Sequence, residues 1–429
     1  MYVATDGPTD AGCRPIYTFG MSHLSNVWFS VTPLKVSHGS GSWVTTTDGE
    51  EYLDFAAGIA VNSTGHAHPK VAAAIAEQAR RFIHAQVNVF QHDLLEPLAA
   101  KLTEITPGAI DTFFFANSGA EITEASVKLA KQATKRPHII VFSGSFHGRT
   151  HMTMAMTTSK TGYRAGHAPL PSGVFVAPYP DPLAEDHDAE VAKALKGFDH
   201  LLKSMTAPEE TAAVILEPVL GEGGYIPAPA AFIHGIVERC RQHGILFIAD
   251  EVQSGFGRTG TMFAVDNYGI EPDIICMAKG IASGFPFSAL GTRRELDDKW
   301  TKGSHGGTYG GNAMGCAAAL ATIELMQAPG FLDNVVARGA QLTAGLLELQ
   351  KEHSGMMQVR GPGLMVGTEF DDPARVAAVM QHCLHEGRLI LMNAGTYSKC
   401  LRWMPPLVVT EREIDLALAA FGAALKATA

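Results

Sequence analysis

One lysine of the sequence stands where an amine can become a nucleophile. Lys279 follows the apolar run 274–278 and is followed directly by Gly280. A lysine that closes an apolar strand is partly buried, and burial lowers the pKa of an ammonium group because it disfavours the charged form. The neutral amine can then attack a carbonyl carbon and form a Schiff base. The sequence therefore predicts a nucleophilic lysine at this position.

A carboxylate occupies the corresponding position after an earlier apolar run. Asp250 follows residues 246–249, and Lys279 comes 29 residues later, which is about the length of one strand–helix–strand unit. Such a unit brings the carboxyl ends of parallel strands to one edge of a sheet, where α/β proteins bind ligands. Asp250 could pair there with one cationic group, although an isolated aspartate is as often a cap for the next segment.

A third pattern is typical of an anion site at a helix N-terminus. The motif NSGAE (117–121) follows an apolar run and opens a helix. The first turn of a helix has free N–H groups and carries the positive end of the helix dipole. Ser118 can cap the helix and offer a hydroxyl, and Gly119 and Ala120 leave room for a phosphate. Taken alone, the pattern is more often a plain serine cap.

Together, a phosphate cup, a carboxylate and a lysine at one sheet edge predict a site for pyridoxal 5′-phosphate (PLP). Lys279 would form the Schiff base with the PLP aldehyde, and Asp250 would keep the pyridine nitrogen protonated. The rival interpretation is a dinucleotide site, but no predicted strand leads into G-x-G-x-x-G. The glycine cluster at 221–224 lacks that spacing.

The ordered motifs of the chain resemble those of the class III (ω-) aminotransferases, which are fold-type I PLP enzymes. The similarity runs from about Pro33 to the terminal helix, and its motifs read DGEEYLDFAAGIAVNSTGHAHPKV (48–71), FFANSGAE (114–121), SFHGRT (145–150), LEPVLGEGG (216–224), IADEVQSGFGRTG (248–260), MAKGIASGFPFSA (277–289) and GGTYGGN (306–312). Within that family, the 4-aminobutyrate (GABA) transaminases look most similar.

The resemblance implies which residues bind the cofactor, with Lys279 and Asp250 as the catalytic pair. The expected PLP contacts are Ser118, Gly119, Ala120, Phe146, His147, Asp250, Val252, Gln253, Lys279 and Thr308. Phe146 would stack on the pyridine ring, and Gln253 would donate to the phenolic oxygen of the ring. Thr308 would reach the phosphate of a neighbouring subunit, so the resemblance implies a homodimer, or a tetramer, with shared active sites.

The resemblance also implies how substrates bind. Arg402 would hold the α-carboxylate of an amino or keto acid, and Glu222 would pair with Arg402 when an ω-amine is bound, with Glu217 as a second acid nearby. Arg149 would hold the distal carboxylate of GABA or 2-oxoglutarate, and Ile59 would be a small apolar gate. The expected reaction transfers an amino group from an ω-amino acid or amine to 2-oxoglutarate or pyruvate. We expect no metal site.

Two other interpretations stay open. Another PLP reaction on the same fold would share Lys279 and Asp250, whether amine:pyruvate transamination, diamine or ornithine-type transamination, decarboxylation or racemisation. A non-catalytic binding protein on the same scaffold is disfavoured, because the lysine, the aspartate, the phosphate cup and Gln253 occur together.

The elements that must position these residues predict an α/β fold. Continuously apolar runs, as in strands buried on both faces, occur at 112–116, 138–142, 174–177, 213–216, 246–249 and 274–277. Helical spacing predicts helices at 70–81, 119–135, 190–205, 228–243 and 312–327. This alternation is typical of a parallel sheet covered by helices. Fold-type I implies a large mixed, mostly parallel sheet domain and a smaller α+β domain built from both chain ends.

The ends of the chain supply the expected small domain. Strands are predicted at 42–47, 52–55, 357–359, 364–370, 388–392 and 400–403, and helices at 331–352, 373–387 and 411–427. We expect residues 1–65 to join the small domain, 66–328 to form the large PLP-binding domain, and 329–429 to form the C-terminal small domain.

Composition and charge narrow the class of partner. The 429 residues carry a net charge of −10, which disfavours nucleic-acid binding because phosphate backbones attract basic surfaces. Six scattered cysteines without C-x-x-C indicate a reducing compartment. Residues 1–20 lack the pattern of a signal peptide, and no apolar stretch approaches the ~20 residues that span a bilayer. We expect a cytoplasmic protein whose partners are small molecules and copies of itself, with no membrane association.

Overall fold

The computed structural model describes residues 23–428, and the predictions on the leader segment and on Cys13 lie outside the described residues. In chain order the strands are β1 (Val36–Ser40), β2 (Trp43–Thr46), β3 (Glu51–Asp54), β4 (Thr112–Ala116), β5 (His138–Phe142), β6 (Val174–Ala177), β7 (Thr211–Leu216), β8 (Val219–Leu220), β9 (Ile226–Pro227), β10 (Leu246–Asp250), β11 (Ile274–Met277), β12 (Ser288–Thr292), β13 (Met356–Arg360), β14 (Val366–Phe370), β15 (Leu389–Ile390), β16 (Met392–Ala394) and β17 (Cys400–Trp403). The helices are α1 (Ala57–Ala60), α2 (Pro69–Arg81), α3 (Leu95–Ile105), α4 (Gly119–Thr134), α5 (His151–Met156), α6 (His187–Ser204), α7 (Ala230–His243), α8 (Arg294–Asp297), α9 (Ala313–Met326), α10 (Phe331–Glu352), α11 (Pro373–His385) and α12 (Glu411–Ala427).

The largest sheet has the strand order β4-β12-β11-β10-β7-β5-β6. Its pairs are parallel between β6 and β5, β5 and β7, β7 and β10, and β10 and β11, whereas β12 is antiparallel to both β11 and β4. The sheet is therefore mixed and mostly parallel, as predicted. Every residue of β7 and β11 is buried, which explains why these strands are apolar without alternation.

Strand β12 was not predicted from the sequence. Its sequence SALGT is short and contains Gly291, and glycine weakens strands because it has no side chain to pack. A Cβ atom at Gly291 would lie 2.8–2.9 Å from the side chains of Ile110, Ile275 and Phe113. Close packing between β11 and β4, rather than strand propensity, therefore requires glycine at this position.

Most other predicted elements are confirmed within a few residues, and β4, β5, β6, β11, α10 and α12 have the predicted bounds. Helix α6 begins three residues earlier than predicted because the side chain of Asp186 caps it by accepting from the N–H of Ala189 at 2.9 Å. Strand β14 begins at Val366 rather than at 364, since the N–H of Leu364 instead donates to the carbonyl of Arg258 at 3.0 Å.

Both ends of the described chain contribute to the smaller sheets. In the sheet β1-β2-β3-β15, the C-terminal strand β15 pairs in parallel with β3, and Leu389 lies opposite Leu53. The antiparallel sheet β13-β14-β17-β16 packs against α11 and α12, where the rings of Trp403 and Phe421 meet edge to face at 4.8 Å. The boundaries at 65/66 and 328/329 stay predictions.

Helix α9 is apolar and mostly buried, and it packs against α2 and α3. Among residues 23–428, no single helix has the length and apolar character needed to cross a membrane. Only α9 and α10 taken together meet that test, and the two helices are bent by 70° relative to each other.

Candidate active site

A cavity of about 510 Å³ lies where the parallel strands of the largest sheet end. Its lining residues are Val61, Asn117, Ser118, Gly119, Ala120, Phe146, His147, Gly148, Arg149, Glu217, Glu222, Asp250, Val252, Gln253, Ala278, Lys279, Gly284, Phe285, Pro286 and Phe287. The fold thus brings together the residues predicted from the phosphate cup, the carboxylate and the lysine. Three predicted site residues are not part of this lining, namely Ile59, Thr308 and Arg402.

The predicted phosphate cup is the N-terminus of α4. Ser118 caps the helix, because its Oγ atom accepts from the N–H of Glu121 at 3.3 Å and donates to the Oε2 atom of the same residue at 3.0 Å. Behind the cap, a Cβ atom at Gly119 would lie 2.9 Å from a methyl group of Val252. A side chain at this position would therefore intrude on the cavity wall, and its absence leaves the helix backbone open to an anion.

A buried aspartate and histidine form the floor of the cavity. The Nδ1 atom of His147 lies 2.7 Å from Oδ2 of Asp250, and both side chains are almost fully buried. The Oδ1 atom of Asp250 accepts from the N–H of Val252 at 3.1 Å. Burial lowers the pKa of His147, but the hydrogen bond and charge of Asp250 raise it more, so the pKa lies above its ordinary value. The two contacts fix the orientation of the Asp250 carboxylate.

Lys279 follows β11, which pairs in parallel with the strand that ends at Asp250. Burial and the charge of Arg402 lower the pKa of Lys279, while Glu222 and other nearby carboxylates raise it, and the result is a pKa of about 8. The φ angle of Lys279 is +46°, in the left-handed region that non-glycine residues rarely adopt. Backbone strain of this kind is concentrated at functional sites. The decrease in the pKa of Lys279 that the sequence predicted is thus caused by burial and by the charge of Arg402.

A second carboxylate lies beside this pair. The oxygens of Glu217 accept from the backbone N–H groups of Phe146 and Gly221, both at 2.8 Å. Burial raises the pKa of Glu217 to about 7; the charge of His147 lowers it, and that of Asp250 adds to the increase. Glu217 therefore connects the loops that follow β5 and β7, and it holds a proton more tightly than an exposed carboxyl group.

An ion pair closes the side of the cavity next to Lys279. The Nη1 atom of Arg402 donates to Oε1 of Glu222, and Oε2 of Glu222 accepts from the hydroxyl of Tyr163 at 3.1 Å. Burial alone would raise the pKa of Glu222, but Arg402 and Lys279 lower it below its usual range. Arg402 is 3% exposed, and the structure places it behind Glu222 rather than in the cavity lining.

Arg149 is the cation at the open end of the cavity. Its guanidinium carbon lies 4.7 Å from the ring centre of Tyr163 and 5.9 Å from that of Phe146. Among the described residues, no carboxylate lies within ion-pair distance of Arg149, although its side chain is exposed to solvent. Stacking on aromatic faces holds the guanidinium in place while its N–H groups stay available to a ligand.

The sequence pattern of the family Aminotransferase class-III matches residues 24–425. The chain belongs to this family. It is 40% identical to the 5-aminovalerate aminotransferase DavT of Pseudomonas putida, covering 91% of this chain and 92% of the relative. It is 41% identical to an acetylornithine aminotransferase of Methanothermobacter thermautotrophicus (91% and 93% covered) and 38% identical to the 4-aminobutyrate aminotransferase GabT of Escherichia coli (90% and 91% covered).

The predicted fold class of this class III aminotransferase is also confirmed by solved structures. A PLP-bound amine transaminase from an uncultivated Pseudomonas species superposes with a TM-score of 0.88 at 27% identity, covering 96% of this chain and all of that one. The predictions of the family, the enzyme class and the cofactor are therefore confirmed: the protein is a PLP-dependent aminotransferase that uses an amino donor and a keto acid.

The residues of the cavity fit PLP. The buried Oε1 atom of Gln253 has no hydrogen-bond partner among the described residues, and a 180° turn of the amide presents its N–H groups to the cavity, where they can donate to a ligand oxygen. The glycine that opens the N-terminus of α4 suits a phosphate, Asp250 suits a protonated ring nitrogen, and Lys279 suits an aldehyde. The phosphate, the ring nitrogen and the aldehyde of PLP would thus each meet a suitable group in the cavity.

Ile59 and Thr308 do not line the cavity of this chain. Ile59 is 38% exposed, and Val61, two residues later, lines the cavity. Thr308 is exposed in a loop before α9. The roles suggested for both residues by the resemblance stay predictions.

Sequence reasoning missed several residues of the site. Phe285, Pro286 and Phe287 line the cavity because β12 begins there and enters the sheet from the same edge. They lie within the motif MAKGIASGFPFSA, so the resemblance covered these residues without assigning them a role. Tyr163 lies in a short 3-10 turn outside every quoted motif, and nothing in its sequence surroundings indicated the contact with Glu222.

Proposed function

We propose that this class III aminotransferase takes its amino group from an ω-amino acid of the 4-aminobutyrate type. The observation that carries the proposal is Arg149, a cation at the same cavity as Lys279 with no carboxylate partner among residues 23–428. A guanidinium held on two aromatic rings suits the distal carboxylate of such a donor. The names of two similar proteins, a 5-aminovalerate and a 4-aminobutyrate aminotransferase, support the same substrate class.

The cavity supports a specific division of the cofactor contacts. Ser118, Gly119 and Ala120 would hold the phosphate at the N-terminus of α4. Phe146 and Val252 would pack against the ring, and Asp250, held by His147, would keep the ring nitrogen protonated. Gln253 would contact the phenolic oxygen. When bound, PLP supplies an aldehyde that captures amines and a ring that accepts electrons from the substrate carbon.

Lys279 is the residue that we propose moves the proton. Its pKa of about 8 leaves a substantial neutral fraction at physiological pH, so the amine can both react with the aldehyde and act as a general base. The general base must take a proton from the donor carbon and deliver it to the carbon that belonged to the PLP aldehyde. Lys279 lines the same cavity as Asp250 and would do both. Neighbouring carboxylates favour its charged form once it has taken the proton.

Arg402 and Glu222 would let one cavity accept two kinds of substrate. With the pair closed, the positive charge of Arg402 is neutralised and an amine end without an α-carboxylate can approach. An α-keto acid, either 2-oxoglutarate or pyruvate, would displace Glu222 and bind Arg402 through its carboxylate. Glu217 would contribute a second acid to this side, and Ile59 would act as an apolar gate.

We also propose a homodimer, or a tetramer of such dimers, in the cytoplasm. Thr308 lies outside the cavity of its own chain, as expected for a residue that reaches the phosphate of a neighbour. Tyr309 follows Thr308 directly and packs 5.1 Å from the ring of His84, and the side chains of Tyr309, Ile83, Val89 and Phe90 are 62–68% exposed. Exposed apolar side chains grouped in this way are typical of protein–protein interfaces.

An amino-donor panel tests the proposed substrate class. The purified holoenzyme is assayed with 4-aminobutyrate, 5-aminovalerate, β-alanine, putrescine, ornithine, N-acetylornithine and an aromatic amine, against both 2-oxoglutarate and pyruvate. We expect the ω-amino acids to have the highest kcat/KM. Turnover of diamines or aromatic amines without turnover of 4-aminobutyrate or 5-aminovalerate would overturn the proposal.

A second candidate is an acetylornithine-type activity, favoured by the 41% identity to an acetylornithine aminotransferase. Such a donor also carries a carboxylate away from the reacting amine, so Arg149 could serve it equally well. The same panel separates the two, because N-acetylornithine would then exceed 5-aminovalerate in kcat/KM.

A further inference from the structure

Tyr163 lies between the two arginines of the site. Its hydroxyl donates to Oε2 of Glu222 at 3.1 Å, and its ring centre lies 4.7 Å from the guanidinium carbon of Arg149. The ring centres of Tyr163 and Phe146 are 5.2 Å apart in an edge-to-face arrangement. The roles derived above use the ring of Tyr163, which supports Arg149, but not its hydroxyl. It is the side chain that joins the distal cation Arg149 to the buried pair of Glu222 and Arg402.

Both carboxylate oxygens of Glu222 are engaged, by different groups. Oε1 accepts from Arg402, and Oε2 accepts from Tyr163. Glu222 is 14% exposed and Arg402 is 3% exposed, so water competes weakly for either contact. A hydrogen bond to an ionised acceptor is stronger than a neutral one, and it holds the carboxylate in one orientation. Tyr163 therefore stabilises Glu222 in the position that it occupies when paired with Arg402.

The hydroxyl of Tyr163 stays a donor throughout the neutral range. Burial and the charge of Glu222 raise the pKa of Tyr163 above its ordinary value, while Arg149 and Arg402 oppose the shift. At neutral pH the phenol is therefore protonated while Glu222, whose pKa is lowered, is ionised.

We propose that Tyr163 is a positioning residue that holds Glu222 on Arg402 and thereby favours amino donors without an α-carboxylate. This inference rests on the proposed two-substrate use of Arg402. A donor that lacks an α-carboxylate reacts with the pair closed, so the hydrogen bond from Tyr163 supports its reaction. A donor that carries an α-carboxylate must displace Glu222 from Arg402, and the same hydrogen bond opposes that displacement.

Tyr163→Phe isolates the hydroxyl from the ring. The phenylalanine ring still packs against Phe146 and still lies beneath Arg149, so the distal cation keeps its support. The change removes only the contact with Glu222. Any effect on the preference between the two donor classes then arises at Glu222 and Arg402.

The experiment compares two donors on the same form of the holoenzyme. In two-step transfer kinetics, kcat/KM for each donor reports only on the first half of the cycle, so 5-aminovalerate and L-glutamate can be compared directly. We expect Tyr163→Phe to shift the ratio of kcat/KM for 5-aminovalerate to kcat/KM for L-glutamate about tenfold towards L-glutamate, the size expected for one hydrogen bond to a charged group. A ratio within twofold of the wild type would overturn the inference.

Two controls separate positioning from a general loss of structure. Tyr179→Phe removes a hydroxyl that donates to the carbonyl of Ile226 at 3.3 Å, outside the cavity lining, and should leave the ratio unchanged. In a Glu222→Ala background, Tyr163→Phe should have no further effect on the ratio, because its partner is gone. An equal shift in that background would contradict the inference.

Failure of the proposed substrate class is visible in the wild type alone. If the wild type rejects ω-amino acids but accepts a simple amine, kcat/KM for that amine replaces kcat/KM for 5-aminovalerate in the ratio to L-glutamate. The effect of Tyr163→Phe on this ratio then tests the inference in the same way. Thermal unfolding of each variant confirms that the fold is intact.

Discussion

His147 donates from Nδ1 to Oδ2 of Asp250 across 2.7 Å, although the two residues are 103 positions apart in the sequence. One follows β5 and the other ends β10, and β7 lies between these strands. Since both side chains are almost fully buried, the carboxylate cannot turn to water and stays directed by its partners. The sheet thus prepares an oriented negative charge before any ligand binds.

Asp250→Asn should lower kcat about 10²–10³-fold, because it removes the oriented charge that would keep the ring nitrogen protonated. The amide is nearly the same size as the carboxylate, so the fold and much of the PLP affinity should persist. Single-turnover rates with a saturating donor measure the loss, and absorbance of bound PLP confirms occupancy. A kcat within threefold of the wild type would show that Asp250 is not part of the chemistry.

The pKa of Lys279, at about 8, predicts the pH dependence of its reactivity in the PLP-free protein. Acetic anhydride acylates only the neutral amine, so labelling of Lys279 should rise with pH and be half-maximal near pH 8. Peptide mass spectrometry after brief exposure at each pH gives the curve.

Glu222→Gln provides the control for that curve. The charge of Glu222 raises the pKa of Lys279, whereas burial and Arg402 lower it. Removing the charge should therefore lower the pKa further and move the pH of half-maximal labelling below 8. An upward shift, or half-maximal labelling near the ordinary lysine value of 10.5, would contradict the assigned environment.

Thr308→Ala tests whether the active sites are shared between subunits. Thr308 does not line the cavity of its own chain, so a single-chain site would be unaffected by the change. In the proposed dimer, the variant loses one hydrogen bond to the phosphate, and the Kd for PLP should rise about tenfold. Equilibrium dialysis of PLP measures the affinity, and sedimentation velocity confirms that the dimer persists. An unchanged Kd would argue against sharing through this residue.

Much of the larger sheet and of the cofactor side of the cavity could be predicted because the signals are local. Strands β10 and β11 are apolar on both faces, and Asp250 is the last residue of β10 while Lys279 comes two residues after β11. The order of the sheet then places their ends together, so position in the sequence is enough to find them.

The substrate side of the cavity was less predictable because it depends on contacts between distant segments. Tyr163 lies in a turn without a regular pattern, and its partner Glu222 lies 59 residues further along the chain. Strand β12 was missed because Gly291 is selected by close packing and not by strand propensity. Such requirements appear only when the neighbouring strands are in place.

The most direct test of the central claim compares 4-aminobutyrate with butylamine, which has the same chain length and no carboxylate. We predict that the wild type prefers 4-aminobutyrate in kcat/KM. Arg149→Ala should lose most of that preference, on the order of 10-fold or more for one charge-assisted contact, while retaining its activity on butylamine. An unchanged preference in Arg149→Ala would contradict the claim that Arg149 selects an ω-amino acid.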